Sequence, residues 1–316
     1  MPDEHNVLEM EFVCDGLDFP EGPVALPDGS VVLVEIGRRC LTRVYPDGRK
    51  VIVAEPGGGP NGAAVGPDGM FYVCNSGGSK MLREADGTRI VGTANDYSGG
   101  RIERIDIRSG KVEVIYTECN GVPLKGPNDI VFDREGGFYF TDLGKSRARE
   151  RDRGCLYYAR TDGSLIREVA FPMWTPNGVG LSPDGAVIFV AETDTARLWS
   201  YRVLSPGHLE KLPYPSPNGG KFIFGAGGYQ HFDSLKVQED GDVCVATLEN
   251  GGVTTIASDG SHHKHIAMPD SHVTNLCFGG ADLCTVFLTM SRSGRLAKMK
   301  WASPGLSLHF NNRALI

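Results

Sequence analysis

One pattern recurs six times along the 316 residues and limits the folds open to this chain. Each copy starts with an acidic or amide residue, continues as an apolar run, turns at a segment containing Asp or Gly, and returns as a second β-rich run. The copies start at positions that we call the register residues: Glu21, Asn61, Asn128, Asn177, Asp233 and Asn275. Further strand pairs lie between the copies, as at 41–55 and 101–116, so each repeat contains four predicted strands.

Six four-stranded units bury both faces of their sheets when they pack around a common axis. The sequence therefore predicts an all-β protein, a six-bladed β-propeller with four antiparallel strands per blade. We expect a single domain over residues 1–316 with a metal site at its centre. The 42 glycines and 19 prolines, about a fifth of the chain, agree with many tight turns. The run 7–14 precedes the first copy, and we expect it to join the last blade and close the ring.

Charge and composition exclude several classes of partner. Lys and Arg number 32 and Asp and Glu 39, a net charge of −7, which argues against nucleic acid or an anionic membrane surface. The sequence contains no apolar run of about 18 residues and does not start like a signal peptide. The eight cysteines form no C-x-x-C pair, so we expect buried free thiols. Free thiols are typical of a reducing compartment, so we expect a cytoplasmic protein. We expect either a monomer or a small homo-oligomer, between which these features do not decide.

Every register residue carries a carboxylate or an amide oxygen. In a propeller the innermost strands all start at the same end of the central channel, so these positions converge on the axis. Such oxygens suit a hard cation, and Ca²⁺ takes roughly six to eight of them. Cys and His are absent from these positions, which disfavours a thiolate or imidazole site. Asn and Asp also open turns, but Glu21 is a poor turn former, and we interpret the set as a cation site.

Polar residues also end the second strand of four copies: Glu35, Asn75, Asp142 and Glu192. Because the second strand returns to the same end of the channel, we expect these side chains to orient the ligands. Asn75 and Asp142 are also candidates for contact with substrate or water. Ordinary polarity at a strand end is the alternative interpretation.

Three irregular insertions are candidate walls of the site, at 76–100, 144–154 and 205–230. The segment KSRARERDR at 145–153 mixes charges, and we interpret it as solvated, with attraction of an anionic substrate as the alternative. The sequence contains no G-x-S-x-G motif, so a serine hydrolase of the α/β type is not indicated.

With these positions in register, the chain resembles the senescence marker protein/gluconolactonase/luciferin-regenerating enzyme family, which includes diisopropyl fluorophosphatase. The resemblance covers essentially the whole chain and rests on five segments: PEGPV (20–24), GPNDIVFD (126–133), TPNGVGLSPDG (175–185), VAETDTARLWSY (190–201) and FDSLKV (232–237). It implies a six-bladed propeller with one divalent metal, usually calcium, in the central channel.

The resemblance implies roles for particular residues. Four metal ligands follow from it: Glu21, Asn128, Asn177 and Asp233. Asp233 is also the implied catalytic base or nucleophile. A partly overlapping set is expected to contact the substrate: Asn128, Asn75, Asn61, Asp142 and His231. Ca²⁺ is the expected cofactor, with Zn²⁺, Mn²⁺ or Mg²⁺ as alternatives.

The expected function is that of a metal-dependent lactonase, a gluconolactonase-like hydrolase acting on a small-molecule lactone. The predicted chemistry combines Lewis-acid help from the metal with proton transfer to Asp233. Two alternatives stay open, a phosphotriesterase-like hydrolase on the same scaffold and a propeller that binds a ligand without catalysis. Lys236 and Ser291 stand where the phosphatase branch has an aspartate and a histidine, which disfavours that branch. Gly126 replaces an arginine common in the sugar lactonases, which disfavours a polar sugar clamp.

Overall fold

The computed structural model describes residues 9–311, and within this range it consists of strands, turns and loops without a helix. Accordingly, the described residues form no helix long and apolar enough to cross a membrane. Six antiparallel sheets are arranged around a central channel as a six-bladed β-propeller, which confirms the fold predicted from the repeat.

The first half of the chain builds three blades. A separate first strand, β1 (Met10–Cys14), precedes them. Blade one contains β2 (Pro20–Ala25), β3 (Val31–Glu35), β4 (Cys40–Val44) and β5 (Lys50–Ala54). Blade two contains β6 (Pro60–Val65) and β7 (Phe71–Asn75), then an inserted hairpin of β8 (Ser79–Glu84) and β9 (Gly87–Thr93), then β10 (Arg101–Asp106) and β11 (Lys111–Tyr116). A short ladder of β12 (Glu118–Cys119) and β13 (Val122–Pro123) leads to blade three, with β14 (Pro127–Phe132), β15 (Gly137–Asp142), β16 (Gly154–Arg160) and β17 (Ile166–Met173).

The second half builds the other three blades. Blade four contains β18 (Pro176–Leu181), β19 (Val187–Glu192), β20 (Arg197–Ser205), β21 (His208–Leu209) and β22 (Lys221–Gly225). Blade five contains β23 (His231–Val237), β24 (Val243–Leu248), β25 (Gly252–Ile256) and β26 (His263–Ala267). Blade six contains β27 (Val273–Gly279), β28 (Thr285–Met290) and β29 (Arg295–Lys300). The innermost strands of the six blades are β2, β6, β14, β18, β23 and β27.

The ring closes between the two ends of the chain, as the sequence predicts. Strand β1 pairs antiparallel with β29, with Met10 opposite Met299 and Phe12 opposite Ala297, and so supplies the outermost strand of blade six. Residues 7 and 8 of the predicted run lie outside the described residues. Because one sheet combines strands from both ends of the chain, separating the ends requires breaking a complete ladder of hydrogen bonds.

Apolar side chains between neighbouring blades form the core. All five residues of β3 and all six of β15 are buried, whereas the outer strand β5 is largely exposed. A strand that is buried on both faces has a continuous run of apolar residues in the sequence. The second strand of each copy has this pattern. Aromatic rings join adjacent blades, as where Tyr72 of blade two meets Phe132 of blade three edge-on, with ring centroids 5.2 Å apart.

The C-terminal segment covers the end of the channel where the inner strands finish. The backbone amide of Leu306 donates to the carbonyl of Val237 at 2.9 Å, and the Phe310 ring lies 5.8 Å from that of Phe132. A cavity of about 80 Å³ remains beneath this segment, lined mainly by apolar side chains. We call the opposite end, where the inner strands start, the site end of the channel.

The eight cysteines are all free, as predicted, and six of them are buried. Cys14 and Cys284 are half-buried: Cys14 ends the outermost strand β1, and Cys284 lies in the turn between β27 and β28. Burial raises the pKa of the Cys74 and Cys277 thiols, so both are held in the neutral form.

Candidate metal centre and active site

Glycines that follow three of the register residues let neighbouring inner strands approach closely at the site end of the channel. A Cβ on any of these glycines would lie 2.3–2.8 Å from the carbonyl oxygen of the next register residue around the ring. The three contacts are Gly22 with Asn61, Gly62 with Asn128, and Gly178 with Asp233. Any larger side chain would push the inner strands apart, so the glycines set the width of the channel at its site end.

Hydrogen bonds complete two further junctions of this ring. The hydroxyl of Thr141 in blade three donates to the backbone carbonyl of Asn177 in blade four at 2.5 Å. The side-chain amide of Asn275 in blade six donates to Oε2 of Glu21 in blade one at 2.7 Å. The predicted convergence of the register residues is therefore seen in the structure.

Glu21 is a buried carboxylate at the start of β2, with 2% of its surface exposed. Its Oε2 accepts hydrogen bonds from the Gly22 amide at 2.6 Å and from Asn275. Burial raises the pKa of Glu21 to about 7, and the negative charge of Asp129 adds to the effect. Ionised Glu21 is thus costly in this environment unless a positive charge is close.

Asp233 is the second buried carboxylate of the ring. Burial raises the pKa of Asp233 well above its ordinary value, and the negative charge of Glu21 raises it further. Hydrogen bonds from Asn177 and from the Ser234 backbone offset part of this rise. Two carboxylates buried in one site, one of which raises the pKa of the other, attract a cation or a proton strongly.

Two amide oxygens of the ring are buried without a hydrogen-bond partner, Oδ1 of Asn61 and Oδ1 of Asn128. Oδ1 of Asn177 accepts only a long hydrogen bond, 3.4 Å from the Ser234 hydroxyl, while its Nδ2 donates to Thr193 at 3.0 Å. Buried polar atoms without partners are rare in native proteins, and two such oxygens in one ring suit the binding of an ion or a ligand. These amides leave oxygens free to coordinate.

The donor set fits a hard divalent cation. Among residues 9–311, no group of three or more His, Cys, Asp or Glu side chains is placed to hold a metal. The donors available here are two carboxylates together with amide oxygens, which Ca²⁺ accepts and softer metals do not prefer.

Asp129 and Asn275 also belong to the site: the sequence analysis gave Asp129 no role, and it placed Asn275 among the register residues without naming it as a ligand or a substrate contact. Asp129 is 1% exposed, and its Oδ2 lies 3.5 Å from Nζ of Lys236. The signal for Asp129 was a charged residue inside the apolar strand that starts with Asn128. Asn275 is one of the register residues, and in the structure its side-chain amide donates a hydrogen bond to the Glu21 carboxylate.

The polar residues that end the second strands hold loops at the site end. Oδ1 of Asn75 accepts from the amides of Gly59 and Gly77 at 2.8 and 3.0 Å. The Asp142 carboxylate accepts from three backbone amides, those of Lys125, Gly126 and Gly144, at 2.7–2.9 Å.

Glu35 and Glu192 also hold loops in their blades. Glu35 accepts a hydrogen bond of 2.7 Å from the Asp18 amide, and Glu192 accepts one of 2.7 Å from the Trp174 amide. All four residues thus bind the chain as it approaches an inner strand. Contact of Asn75 and Asp142 with a substrate stays a prediction.

His231 lies two residues before Asp233 and is half-buried at the site end. Its ring centroid is 5.3 Å from that of Tyr229, whose side chain is 80% exposed. Nδ1 of His231 lies 3.8 Å from a carboxylate oxygen of Glu249. The position suits contact with a ligand above the ring, which remains a prediction.

Two of the three predicted walls stand at the site end. The hairpin β8–β9 reaches across blade one to blade six, where the Thr88 amide donates to the Arg292 carbonyl at 2.8 Å and Arg292 pairs with Asp86 at 2.6 Å. The Thr93 hydroxyl donates to the Ser146 carbonyl at 3.2 Å, which ties the hairpin to the insertion of blade three.

The third insertion, 205–230, mostly lies elsewhere. Strand β22 pairs with β20 on the outside of blade four, so the chain from 206 to 220 runs at the opposite end and edge of that blade. Only the last part of the insertion, next to His231, reaches the site end. The insertion is long because it contains the connection to β22 on the outside of blade four, and most of it does not form a wall of the site.

Acidic partners neutralise part of the basic segment 145–153. Arg147 pairs with Asp152 at 2.7 Å, and Arg151 pairs with Asp194. The guanidinium of Arg153 lies 4.2 Å from the ring centroid of Trp174, a residue 44% exposed. This arrangement agrees with the interpretation of a solvated, mixed-charge surface.

Comparison with known proteins gives a consistent result. The family model described as SMP-30/gluconolactonase/LRE-like region matches residues 19–292. The gluconolactonase of Zymomonas mobilis is 26% identical over 308 residues, covering 90% of this chain and 79% of that protein. Lactonase drp35 of Staphylococcus haemolyticus is 29% identical over 252 residues, covering 79% of this chain and 69% of that protein.

A solved structure agrees with the fold. The gluconolactonase of Xanthomonas campestris superposes with a TM-score of 0.73 at 20% identity, covering 95% of this chain and 91% of that one. At this level of identity the superposition supports the six-bladed architecture alone.

Proposed function

The chain belongs to the SMP-30/gluconolactonase/LRE-like family, and from this premise we propose that it is a lactonase, an enzyme that hydrolyses the ester bond of a small cyclic ester. The observation that carries the proposal is the ring of register residues, in which two buried carboxylates accompany amide oxygens that lack partners. The names of the two relatives, gluconolactonase and lactonase, support the same reaction.

We further propose that a divalent cation, Ca²⁺ first among them, is held by four register residues: Glu21, Asn128, Asn177 and Asp233. When bound, the cation supplies Lewis-acid stabilisation of the negative charge that develops on the lactone carbonyl oxygen. A positive charge there would also offset the cost of burying Glu21 and Asp233: burial raises the pKa of both, the charge of Asp129 adds to the rise for Glu21, and the charge of Glu21 adds to the rise for Asp233.

In this proposal Asp233 is the general base. Its carboxylate accepts a proton from the water that attacks the carbonyl carbon, the ring C–O bond breaks, and the proton passes to the leaving alkoxide. Asn177 supports this role through its hydrogen bond to Asp233. In the proposal Asn61 orients the water or the substrate, a role supported by its buried Oδ1, which has no hydrogen-bond partner. His231 and the loops of the site end contact the remainder of the substrate.

The test is hydrolysis of a panel of lactones by metal-stripped protein, with Ca²⁺, Zn²⁺, Mn²⁺ or Mg²⁺ restored one at a time. The panel contains gluconolactone, simple γ- and δ-lactones, a carboxylated lactone and a phosphotriester. Asp233→Asn is the test variant, and Asp162→Asn, in an exposed turn, is the matched control.

Turnover of a lactone that depends on the cation and is lost only in Asp233→Asn, with both variants folded, supports the proposal. Turnover of the phosphotriester alone would favour the phosphatase alternative. Cation binding without any turnover would favour a propeller that binds a ligand.

A further inference from the structure

The inner strands contain few charged side chains, and four of them lie within the channel. The strands β6, β18 and β27 contain none. The other three contain Glu21, Asp129, Asp233 and Lys236, with His231 at the rim as the one additional titratable residue. When all four are ionised, the channel holds three carboxylates and one ammonium, a net charge of minus two.

Lys236 and Asp129 meet across the channel. They lie on β23 and β14, and β18 stands between these two strands in the ring. Nζ of Lys236 is 3.5 Å from Oδ2 of Asp129, and it donates to the Leu235 carbonyl at 2.9 Å. The two side chains are only 18% and 2% exposed, so water screens their interaction poorly.

The other partners of Asp129 are neutral. Its Oδ1 accepts from the Ile130 amide at 2.9 Å, and its Oδ2 accepts a long hydrogen bond from the Val179 amide at 3.4 Å. Asp129 also raises the pKa of both Glu21 and Asp233, which places its charge within electrostatic reach of the two proposed acidic ligands.

We propose that Lys236 is a positioning residue of the cation site: its ammonium neutralises Asp129 and leaves two uncompensated carboxylates, the charge that one divalent cation balances. This inference rests on the proposed function. It adds that the pair of Lys236 and Asp129 sets the affinity of the proposed site for the cation. Removing the ammonium makes the channel more negative, and removing the Asp129 carboxylate makes it less negative. The two changes therefore act on cation affinity in opposite directions.

The test is a double-mutant cycle with Lys236→Met, Asp129→Asn and the double variant, because Met and Asn keep the approximate shape of the residues they replace. Dissociation constants for Ca²⁺ are measured by calorimetry on metal-stripped protein, beside circular dichroism and thermal unfolding without metal. Binding to the native protein is measured first.

We expect Lys236→Met to bind Ca²⁺ about tenfold more tightly and Asp129→Asn about tenfold more weakly. The double variant is expected to return to within about threefold of the native value, since its net charge is again minus two. Without metal, Lys236→Met is expected to be the least stable of the set, because it buries an unpaired carboxylate.

Single changes that shift the affinity in the same direction, or that leave it unchanged in folded protein, overturn the inference while leaving the proposed cation site intact. If Lys236→Met does not fold, the test uses Asp129→Asn alone, and an unchanged affinity of this variant for Ca²⁺ overturns the inference. If the native protein binds none of the cations, the proposed site itself fails, and this inference fails with it.

Discussion

The side-chain amide of Asn275 donates a hydrogen bond of 2.7 Å to the buried carboxylate of Glu21, although 254 residues separate the two. This contact joins blade six to blade one at the candidate metal centre. Closure of the ring therefore contributes directly to the site, since one of the two hydrogen bonds to Oε2 of Glu21 forms only when the last blade is in place.

Removing this donor is expected to destabilise the protein and disturb the site. In Asn275→Ala, Glu21 loses one of two hydrogen bonds to Oε2, which costs about 1–3 kcal/mol for a buried charged group. The free energy of unfolding in urea, measured without and with Ca²⁺, checks this. Asn95→Ala, at an exposed position, is the control and is expected to change little. Equal stability of the two variants would contradict the role given to Asn275.

The Glu21 carboxylate is expected to destabilise the folded protein when no cation is bound. Glu21→Gln keeps an oxygen for both hydrogen bonds and removes one buried charge from a cluster of carboxylates, so we expect the metal-free protein to gain about 1–2 kcal/mol. The same change is expected to weaken Ca²⁺ binding and to abolish stabilisation by Ca²⁺. Thermal unfolding with and without Ca²⁺ measures both effects, with Glu239→Gln, an exposed residue, for comparison. A loss of metal-free stability would argue against buried repulsion.

The glycine after Asn61 is expected to admit no side chain. A Cβ at Gly62 would lie 2.4 Å from the carbonyl oxygen of Asn128 and 2.6 Å from Cα of Asp129. Gly62→Ala must therefore separate two inner strands, and we expect a loss of about 1–3 kcal/mol together with weaker cation binding. Gly227→Ala is the matched control, because a Cβ there meets nothing within 4 Å. Similar unfolding curves for the two variants would show that the ring is less tightly packed than described.

Lys145, in the insertion of blade three, is expected to make stability depend on pH. Burial lowers the pKa of Lys145 from 10.5 to about 8. The folded protein therefore releases the proton at lower pH than the unfolded chain, and stability rises as pH increases from about 8 towards 10.5. The rise attributable to this residue is at most about 3 kcal/mol.

The comparison for Lys145 is with Lys145→Met, which has no such proton. The difference in unfolding free energy between the native protein and this variant is expected to stay constant below pH 8. It is then expected to move in favour of the native protein up to pH 10. A flat difference across the whole range would show that Lys145 titrates normally.

Closure of the ring by β1 is expected to dominate stability. Deleting residues 1–14 exposes the edge of β29, and we expect the midpoint of thermal unfolding to fall by roughly 10 °C or more, with a tendency to aggregate. Deletion of residues 1–8 keeps β1 and is the control. An unchanged midpoint in the longer deletion would mean that the ladder between Met10 and Met299 contributes little.

The fold and the core of the site were predictable because both follow from a local pattern repeated six times. Each register residue starts an inner strand, so a common position in the repeat becomes a common position on the axis. Glu21, Asn128, Asn177 and Asp233 lie together for this reason. The family resemblance added their expected roles, which the proposed experiments test.

Other features followed from contacts between distant parts of the chain. Asn75 and Asp142 read as candidate substrate contacts, yet their oxygens accept backbone amides of the approaching loops. A strand-end position cannot distinguish these partners, because the path of the loop decides which amides come within reach. The insertion 205–230 was similarly ambiguous, since its length does not reveal that β22 returns along the outside of a blade.

The sequence by itself determined the six-bladed ring and the set of oxygens at its axis, because strand periodicity and repeat position are properties of neighbouring residues. Only the tertiary structure decided how the buried charges are paired. Asp129 and Lys236 lie on strands from blades three and five, and the closed ring brings their side chains within 3.5 Å across the channel. Electrostatic energy depends on distance through space and on burial, and neither quantity can be read from separation along the chain.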